Sequence, residues 1–179
     1  PVVAASVILP SDVDHTPFCD SKQTTPTQRN ELRKLLDQIG ADIGVGIASP
    51  RTIDRINILQ ASLLAMKQSI ADLSSSGQEP DFVLVDGNQK ILSTIPQQTL
   101  IKGDSRSASI GAASIVAKFT RDRIMIELEQ RYPGYNFSAN KGYPTREHRQ
   151  AIADLGPSPM HRYSFKGVKE FVTSTDTSR

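Results

Sequence analysis

Apolar residues crowd the start of the chain. A β-branched run from Val2 to Leu9 predicts a buried strand ended by Pro10 and a polar, turn-rich stretch. Thr25-Pro26-Thr27-Gln28 then reads as a helix start, with threonine as N-cap, proline at the first helical position and glutamine closing a capping box. Leu32, Leu35, Leu36 and Ile39 give that helix one apolar stripe, and Gly40 ends it. From Asp42 to Ala48, Ile43, Val45 and Ile47 alternate with glycines. This predicts a strand whose backbone is approached closely by another element. Ser49-Pro50 opens a second helix. Its apolar positions Ile56, Leu59, Leu63, Met66, Ile70 and Leu73 recur every three or four residues, the stripe of a helix laid on a sheet. The stripe is too short for a coiled coil.

Polar residues 74–80 close that helix. Phe82-Val83-Leu84-Val85 predicts a short strand running into Asp86-Gly87, and Thr99-Leu100-Ile101 another running into Lys102-Gly103-Asp104. A long helix is expected from about Arg106 to Arg131. It is rich in small residues at its start (Ala108, Ala112, Ala113, Ser114, Ala117) and is closed by Pro133. Thr145 caps a shorter helix stopped by Gly156-Pro157, and a further turn is expected near Lys169. The order of strands and helices describes an α/β domain: a mixed β-sheet flanked by helices, with a helical C-terminal part. One domain is expected over residues 1–172, with 173–179 as a frayed tail.

Composition narrows the class without choosing a function. Of 179 residues, 37% are hydrophobic and 22% charged, which excludes fibrous and strongly disordered chains. No run approaches the ~20 apolar residues of a membrane span, and the apolar start lacks the basic region of a signal peptide. A cytoplasmic monomer is expected. The single cysteine, Cys19, excludes an internal disulfide and has no basic relay partner nearby in sequence. Net charge is only +2, but its distribution is uneven: between Lys102 and Lys169 there are twelve Lys and Arg against six Asp and Glu. Such an excess is the footprint of a polyanion binder, or of a solvated mixed-charge face.

Two aspartates stand at strand ends, Asp86 and Asp104, eighteen positions apart. Open α/β sheets bind ligands beyond their strand ends, so the two carboxylates could converge on one hard cation. Oxygen-only ligation favours Mg²⁺ or Mn²⁺ over zinc. The plain alternative is that each aspartate caps its own turn, before Gly87 and Ser105 respectively.

The local sequences around these acids add a second line of argument. Asp20-Ser21-Lys22, Val83-Leu84-Val85-Asp86-Gly87, Lys102-Gly103-Asp104-Ser105-Arg106, Ala112–Lys118, Arg121-Asp122, Lys141-Gly142-Tyr143-Pro144-Thr145, His148 and His161–Phe165 follow one another in order. In this, the chain resembles ribonuclease HII from about Pro1 to Lys169. The resemblance implies an RNase H-like fold and an endonuclease using Mn²⁺ or Mg²⁺. That enzyme hydrolyses the RNA strand of RNA–DNA hybrids and cuts 5′ of ribonucleotides embedded in duplex DNA, leaving 3′-OH and 5′-phosphate ends. Asp86 and Asp104 match the third and fourth of the family's four metal-binding acids, and so are the expected catalytic residues. Tyr143 matches a tyrosine that stacks on a sugar beside the cleavage junction, and Ser21 and Lys22 a phosphate-contacting pair. Lys102, Arg106 and Lys118 are candidate phosphate contacts. Asp122 is expected to support the site rather than bind the ion directly. His148 and His161 are expected to be structural, and Asn57 to bond a strand end with no chemical role.

The sequence departs from the family pattern at one place. The family's first strand, with its Asp-Glu pair and the Gly-Arg-Gly segment that reads the ribose 2′-OH, precedes the residues matching Pro1-Val2-Val3-Ala4-Ala5, and it is not in this sequence. That strand is central in the family's sheet. Two accounts of this are open, and the expected one is that the whole protein carries the segment ahead of Pro1, because loss of a central strand would expose unpaired backbone on both neighbours and remove core apolar area. A chain truly without it is expected to be nearly inactive, and would then be a non-catalytic nucleic-acid-binding module.

Overall fold

A computed structural model describes residues 1–19, 24–75 and 77–172. The expected tail, 173–179, and the Ser21-Lys22 pair lie outside them. In chain order the elements are β1 (Val2–Ile8), a 3₁₀ turn (Thr16–Phe18), α1 (Pro26–Gln38), β2 (Asp42–Ala48), α2 (Pro50–Ser75), β3 (Val83–Asp86) and β4 (Gln97–Leu100). A second 3₁₀ turn (Gly103–Ser105) leads into α3 (Ala108–Arg131), α4 (Phe137–Asn140), α5 (Arg146–Leu155) and a last 3₁₀ turn (Lys169–Phe171). The class is α/β with strands flanked by helices, as the patterning predicts. Among the described residues the strands form two pairs, β1 with β2 and β3 with β4, the latter parallel with Val83 opposite Gln97 and Asp86 opposite Leu100.

Most local signals act as expected. The Thr25 hydroxyl accepts from the Gln28 amide while the Gln28 side chain accepts from the Thr25 amide, the reciprocal cap that its sequence announces. A Cβ placed on Gly44 would lie 2.1 Å from the Ser69 carbonyl oxygen, and one on Gly46 1.9 Å from that of Ala65. Glycine there lets α2 press directly on β2, and the Asp72 carboxylate of α2 reaches the Val45 amide at 2.8 Å.

Three details differ. α2 is not one continuous helix: Asn57 sits at φ 66°, ψ 168°, breaking it, and the Asn57 side chain accepts from the Gln60 amide as the cap of the second segment. That combination of φ and ψ lies outside the left-handed helical region and is costly for any residue with a Cβ, and the side-chain cap to Gln60 helps to hold it. Leu59, in the expected stripe, is consequently 48% exposed. β3 excludes the exposed Phe82, and β4 lies two residues earlier than its apolar run suggests, leaving Ile101 exposed in the following turn. In β4 the ladder with β3 outweighs the local apolar run.

The described residues fall into two compact units. One comprises residues 3–47 and 62–119. Its core is Phe18, Leu36, Ala112, Ile115 and Val116, with Ala5, Val7, Val45 and neighbours of α1 packed around them. Full burial of a Leu or Phe side chain contributes about 1.5–3 kcal/mol, which makes Leu36 and Phe18 the anchors of this layer. A smaller cluster, Ile70, Val85 and Ile91, fixes β3 against α2. The other unit comprises residues 1–2, 48–61 and 120–172. Its core is Met125, Tyr135, Phe137 and Ile152, and the Asp54 carboxylate holds the Tyr163 and Ser164 amides at 2.8 and 2.9 Å.

Candidate active site

β3 ends at Asp86, and the register with β4 carries the chain on to the turn at Lys102-Gly103-Asp104. Asp86 is tied to that turn. Asp86 Oδ1 accepts a hydrogen bond from the Gly103 amide at 2.8 Å, one residue before Asp104. Gly103 makes the approach possible: a Cβ at that position would lie 2.6 Å from Ile110 Cδ1 and 3.2 Å from Asp86 Oδ1. The pair is asymmetric. Asp86 is exposed, whereas Asp104 is only 3% exposed, inside the 3₁₀ turn that precedes α3. Lys102 opens that turn at φ 55°, a left-handed conformation uncommon for a residue with a Cβ.

The flanking cations sit at the same turn. Lys102 and Arg106 are exposed, with Arg106 Nη1 donating to the Ile101 carbonyl at 3.5 Å. Lys118 lies half-buried further along α3. Oxygen donors and nearby cations form a site suited to a phosphate and a hard cation rather than to an apolar ligand. Among the described residues no group of three or more His, Cys, Asp or Glu side chains could hold a metal ion.

Tyr143 belongs to the other unit, in a turn built to present it. Lys141 and Gly142 adopt φ 52° and 79°, the Gly142 amide donates to Asn140 Oδ1 at 2.7 Å, and the Tyr143 amide to the Asn140 carbonyl at 2.8 Å. Asn140, itself buried, donates to the Tyr135 carbonyl. The ring of Tyr143 is left 70% exposed. Arg121 braces this turn, with Nη2 donating to the Lys141 carbonyl at 2.9 Å and Nη1 to the Pro1 carbonyl at 2.5 Å. Arg162 reaches the same Pro1 carbonyl at 3.1 Å. Burial pushes both guanidinium pKa values down; Arg162 is lowered further by the charge of Arg121. Asp122 is half-buried beside Arg121 on α3.

His148 and His161 are buried, stacked with ring centroids 5.2 Å apart, and flanked by Tyr135 and Phe137. His148 Nδ1 lies 2.9 Å from the Tyr135 carbonyl, and His161 Nδ1 accepts from the Ser158 amide at 2.9 Å. Burial first, and His148 second, push the His161 pKa down to about 4. Both are core residues, as expected. Sequence reasoning missed Gly103 as the contact that ties Asp86 to the turn carrying Asp104, and Asn140 as the keystone of the tyrosine turn. The only signal for Gly103 was its place between a strand end and Asp104. Asn140 gave none.

A family model for ribonuclease HII matches residues 1–168. The chain belongs to the ribonuclease HII family. Among its relatives, the ribonuclease HII of Desulfotalea psychrophila is 56% identical over 172 residues, covering 96% of this chain and 76% of that protein. That of Geobacter sulfurreducens is 52% identical over 170 residues, covering 95% and 77%. The fold is also that of the crystal structure of the ribonuclease H2 from Pyrococcus horikoshii, with TM-score 0.70, 24% identity, and 96% and 91% of the two chains covered. A structure of Bst-RNase HIII in complex with Mn²⁺ aligns with TM-score 0.64 at 14% identity, over 99% of this chain and 71% of that one. The chain is therefore an enzyme, a ribonuclease that acts on the RNA of RNA–DNA hybrids. No helix among the described residues is long and apolar enough to cross a membrane.

Proposed function

We propose that this enzyme is a metal-dependent endonuclease that cuts 5′ of ribonucleotides, in hybrids and singly embedded in duplex DNA, leaving 3′-OH and 5′-phosphate ends. The observation that supports the reading is the bond from the Gly103 amide to Asp86, which ties the end of β3 to the residue before Asp104. Their donor chemistry fits Mn²⁺ or Mg²⁺, and Asp86 and Asp104 are the residues that would hold it. Two carboxylates are too few to fill the coordination sphere of such an ion. The chemistry an ion supplies when bound there is a lowered pKa of the attacking water and stabilisation of charge on the phosphate oxygens.

The rest follows from the chain's own groups. Lys102 and Arg106 place positive charge beside the acids and steer the phosphate backbone, with Lys118, Ser21 and Lys22 as further phosphate contacts. The exposed ring of Tyr143 stacks on a nucleotide sugar and fixes the register of the junction. Asp122 supports the site without touching the ion.

The deciding experiment incubates the full chain with a labelled duplex containing a single ribonucleotide, in Mn²⁺ or in EDTA. One incision 5′ of the ribonucleotide in Mn²⁺, with none in EDTA, is expected. Tight binding without incision in either condition overturns the catalytic reading in favour of a nucleic-acid-binding module.

A further inference from the structure

Tyr143 lies on a closed circuit of hydrogen bonds, and His148 is the residue at which the circuit closes. Upstream, the Tyr143 amide donates to the Asn140 carbonyl at 2.8 Å and the Gly142 amide to Asn140 Oδ1 at 2.7 Å. Asn140 Nδ2 donates in turn to the Tyr135 carbonyl at 2.8 Å. Downstream, the Tyr143 carbonyl accepts from the Thr145 amide at 2.8 Å, and the Thr145 hydroxyl accepts from the His148 amide at 3.2 Å. His148 Nδ1 then lies 2.9 Å from the same Tyr135 carbonyl that Asn140 uses. The backbone and the side chain of one buried residue thus grip both ends of the turn. The ring has little freedom of its own. A carbonyl oxygen only accepts, so His148 Nδ1 carries a proton. One face of the imidazole stacks on His161 at 5.2 Å and 16°, and Phe137 packs on it tilted by 57°. His161 is fixed in the opposite tautomer, because its Nδ1 accepts from the Ser158 amide.

From this circuit we infer that His148 is a positioning residue for Tyr143: its imidazole, held by His161 and Phe137, fixes the Tyr135 carbonyl that orients Asn140, and through Asn140 the direction in which the tyrosine ring projects. The ring is 70% exposed, so the direction of its Cα–Cβ bond is set by the backbone rather than by packing. That backbone has to be held, since Lys141 enters the turn at φ 52°, a conformation uncommon for a residue with a Cβ. Asn140 holds it in one orientation only. A flipped side-chain amide would set Nδ2 against the Gly142 amide, donor against donor, and Oδ1 against the Tyr135 carbonyl. The Tyr135 oxygen has two lone pairs and takes Asn140 and His148 together, so the imidazole anchors the acceptor that decides between the two orientations. The brace from Arg121 ends on the Lys141 carbonyl and leaves residues 142–145 to the circuit. A ring presented in a fixed direction loses less freedom when a sugar stacks on it, which is how the positioning would reach the substrate. The inference rests on the stacking role proposed for Tyr143.

The test uses the full chain. His148→Phe keeps an aromatic ring and deletes the donor, whereas His148→Asn keeps a donor near the place of Nδ1. The chain has no tryptophan, so Tyr143→Trp supplies a single reporter at the turn, read by time-resolved fluorescence anisotropy without nucleic acid. Slow tumbling of the whole molecule should dominate its decay in the native and His148→Asn backgrounds, and a nanosecond component in the His148→Phe background. Binding of a short RNA–DNA hybrid in EDTA reads the consequence. His148→Phe should weaken it about 5-fold, the ratio that one net hydrogen bond carries, and His148→Asn should restore it. In a Tyr143→Ala background His148→Phe should cost nothing further, whereas a loss through general destabilisation would add. Where circular dichroism shows His148→Phe unfolded, His148→Leu takes its place. An unchanged reporter decay, or losses that add, overturns the inference. Hybrid binding by Tyr143→Ala as tight as wild type would refute the stacking role alone, and the reporter would then decide the circuit by itself.

Discussion

In the proposed site Asp86 has two separable tasks, and substitution can take them apart. Its Oδ1 accepts the Gly103 amide at 2.8 Å, and its charge is one of the two assigned to the ion. Asp86→Asn keeps an acceptor oxygen and deletes the charge; Asp86→Ala deletes both. A hydrogen bond to a charged group contributes about 1.5–3 kcal/mol, reduced to about 1 kcal/mol where solvent reaches the carboxylate, as it does here. Asp86→Ala is therefore expected to lose about 1 kcal/mol of stability in urea titration, and Asp86→Asn well under half of that. Turnover responds differently. A charged ligand to a catalytic ion contributes several kcal/mol to transition-state stabilisation, and each 1.4 kcal/mol is tenfold in rate, so both variants should fall about 1,000-fold or more in kcat. Single-turnover cleavage of a hybrid in Mn²⁺ measures the second effect, while fluorescence anisotropy in EDTA should show hybrid binding retained. Wild-type turnover in Asp86→Asn would remove Asp86 from the active site. Equal destabilisation of the two variants would refute the role given to the Gly103 bond.

Other consequences are open to measurement. Tyr143→Ala should weaken hybrid binding by about 1–3 kcal/mol, roughly 5- to 150-fold, while Tyr143→Phe keeps the ring and most of the affinity; equal losses in both would exclude stacking. Gly46→Ala drives a Cβ to 1.9 Å from the Ala65 carbonyl oxygen and should cost more than about 3 kcal/mol, read as a lowered denaturation midpoint; a stable variant would mean that α2 can lift from β2. His161 titrates near 4 when folded and near 6.5 when unfolded. The unfolded chain thus takes up the proton first, so this contribution to stability is complete above about pH 6.5 and is lost as pH falls towards 4. The slope approaches 1.4 kcal/mol per unit and the total is roughly 3 kcal/mol. Urea titrations across that window should show a shallower pH dependence for His161→Gln, and identical slopes would disprove the assignment.

Much of the fold was legible because its signals are local. The capping box at Thr25, the limits of β2 and the glycines that admit α2 each follow from residues close together in sequence. Asp86 at the end of β3 was readable for the same reason, whereas Asp104 lies four residues past β4, inside a 3₁₀ turn. What escaped depends on partners far along the chain or on backbone conformation. An apolar stripe cannot reveal that Asn57 adopts a positive φ, and with it that Leu59 turns outward. The onset of β4 is set by its ladder with β3, and the brace from Arg121 to the Pro1 and Lys141 carbonyls spans 120 and 20 positions. The division of the strands into two pairs has no local signature either.

For engineering, the left-handed lysine at position 102 is a trap. Glycine there would relieve a backbone penalty of about 1 kcal/mol, so a screen scored on melting temperature would favour it. Each such winner would discard a cation beside the paired acids, and thermostability would rise as phosphate capture fell. Any programme to harden this protein has to score position 102 on catalysis before it scores it on heat.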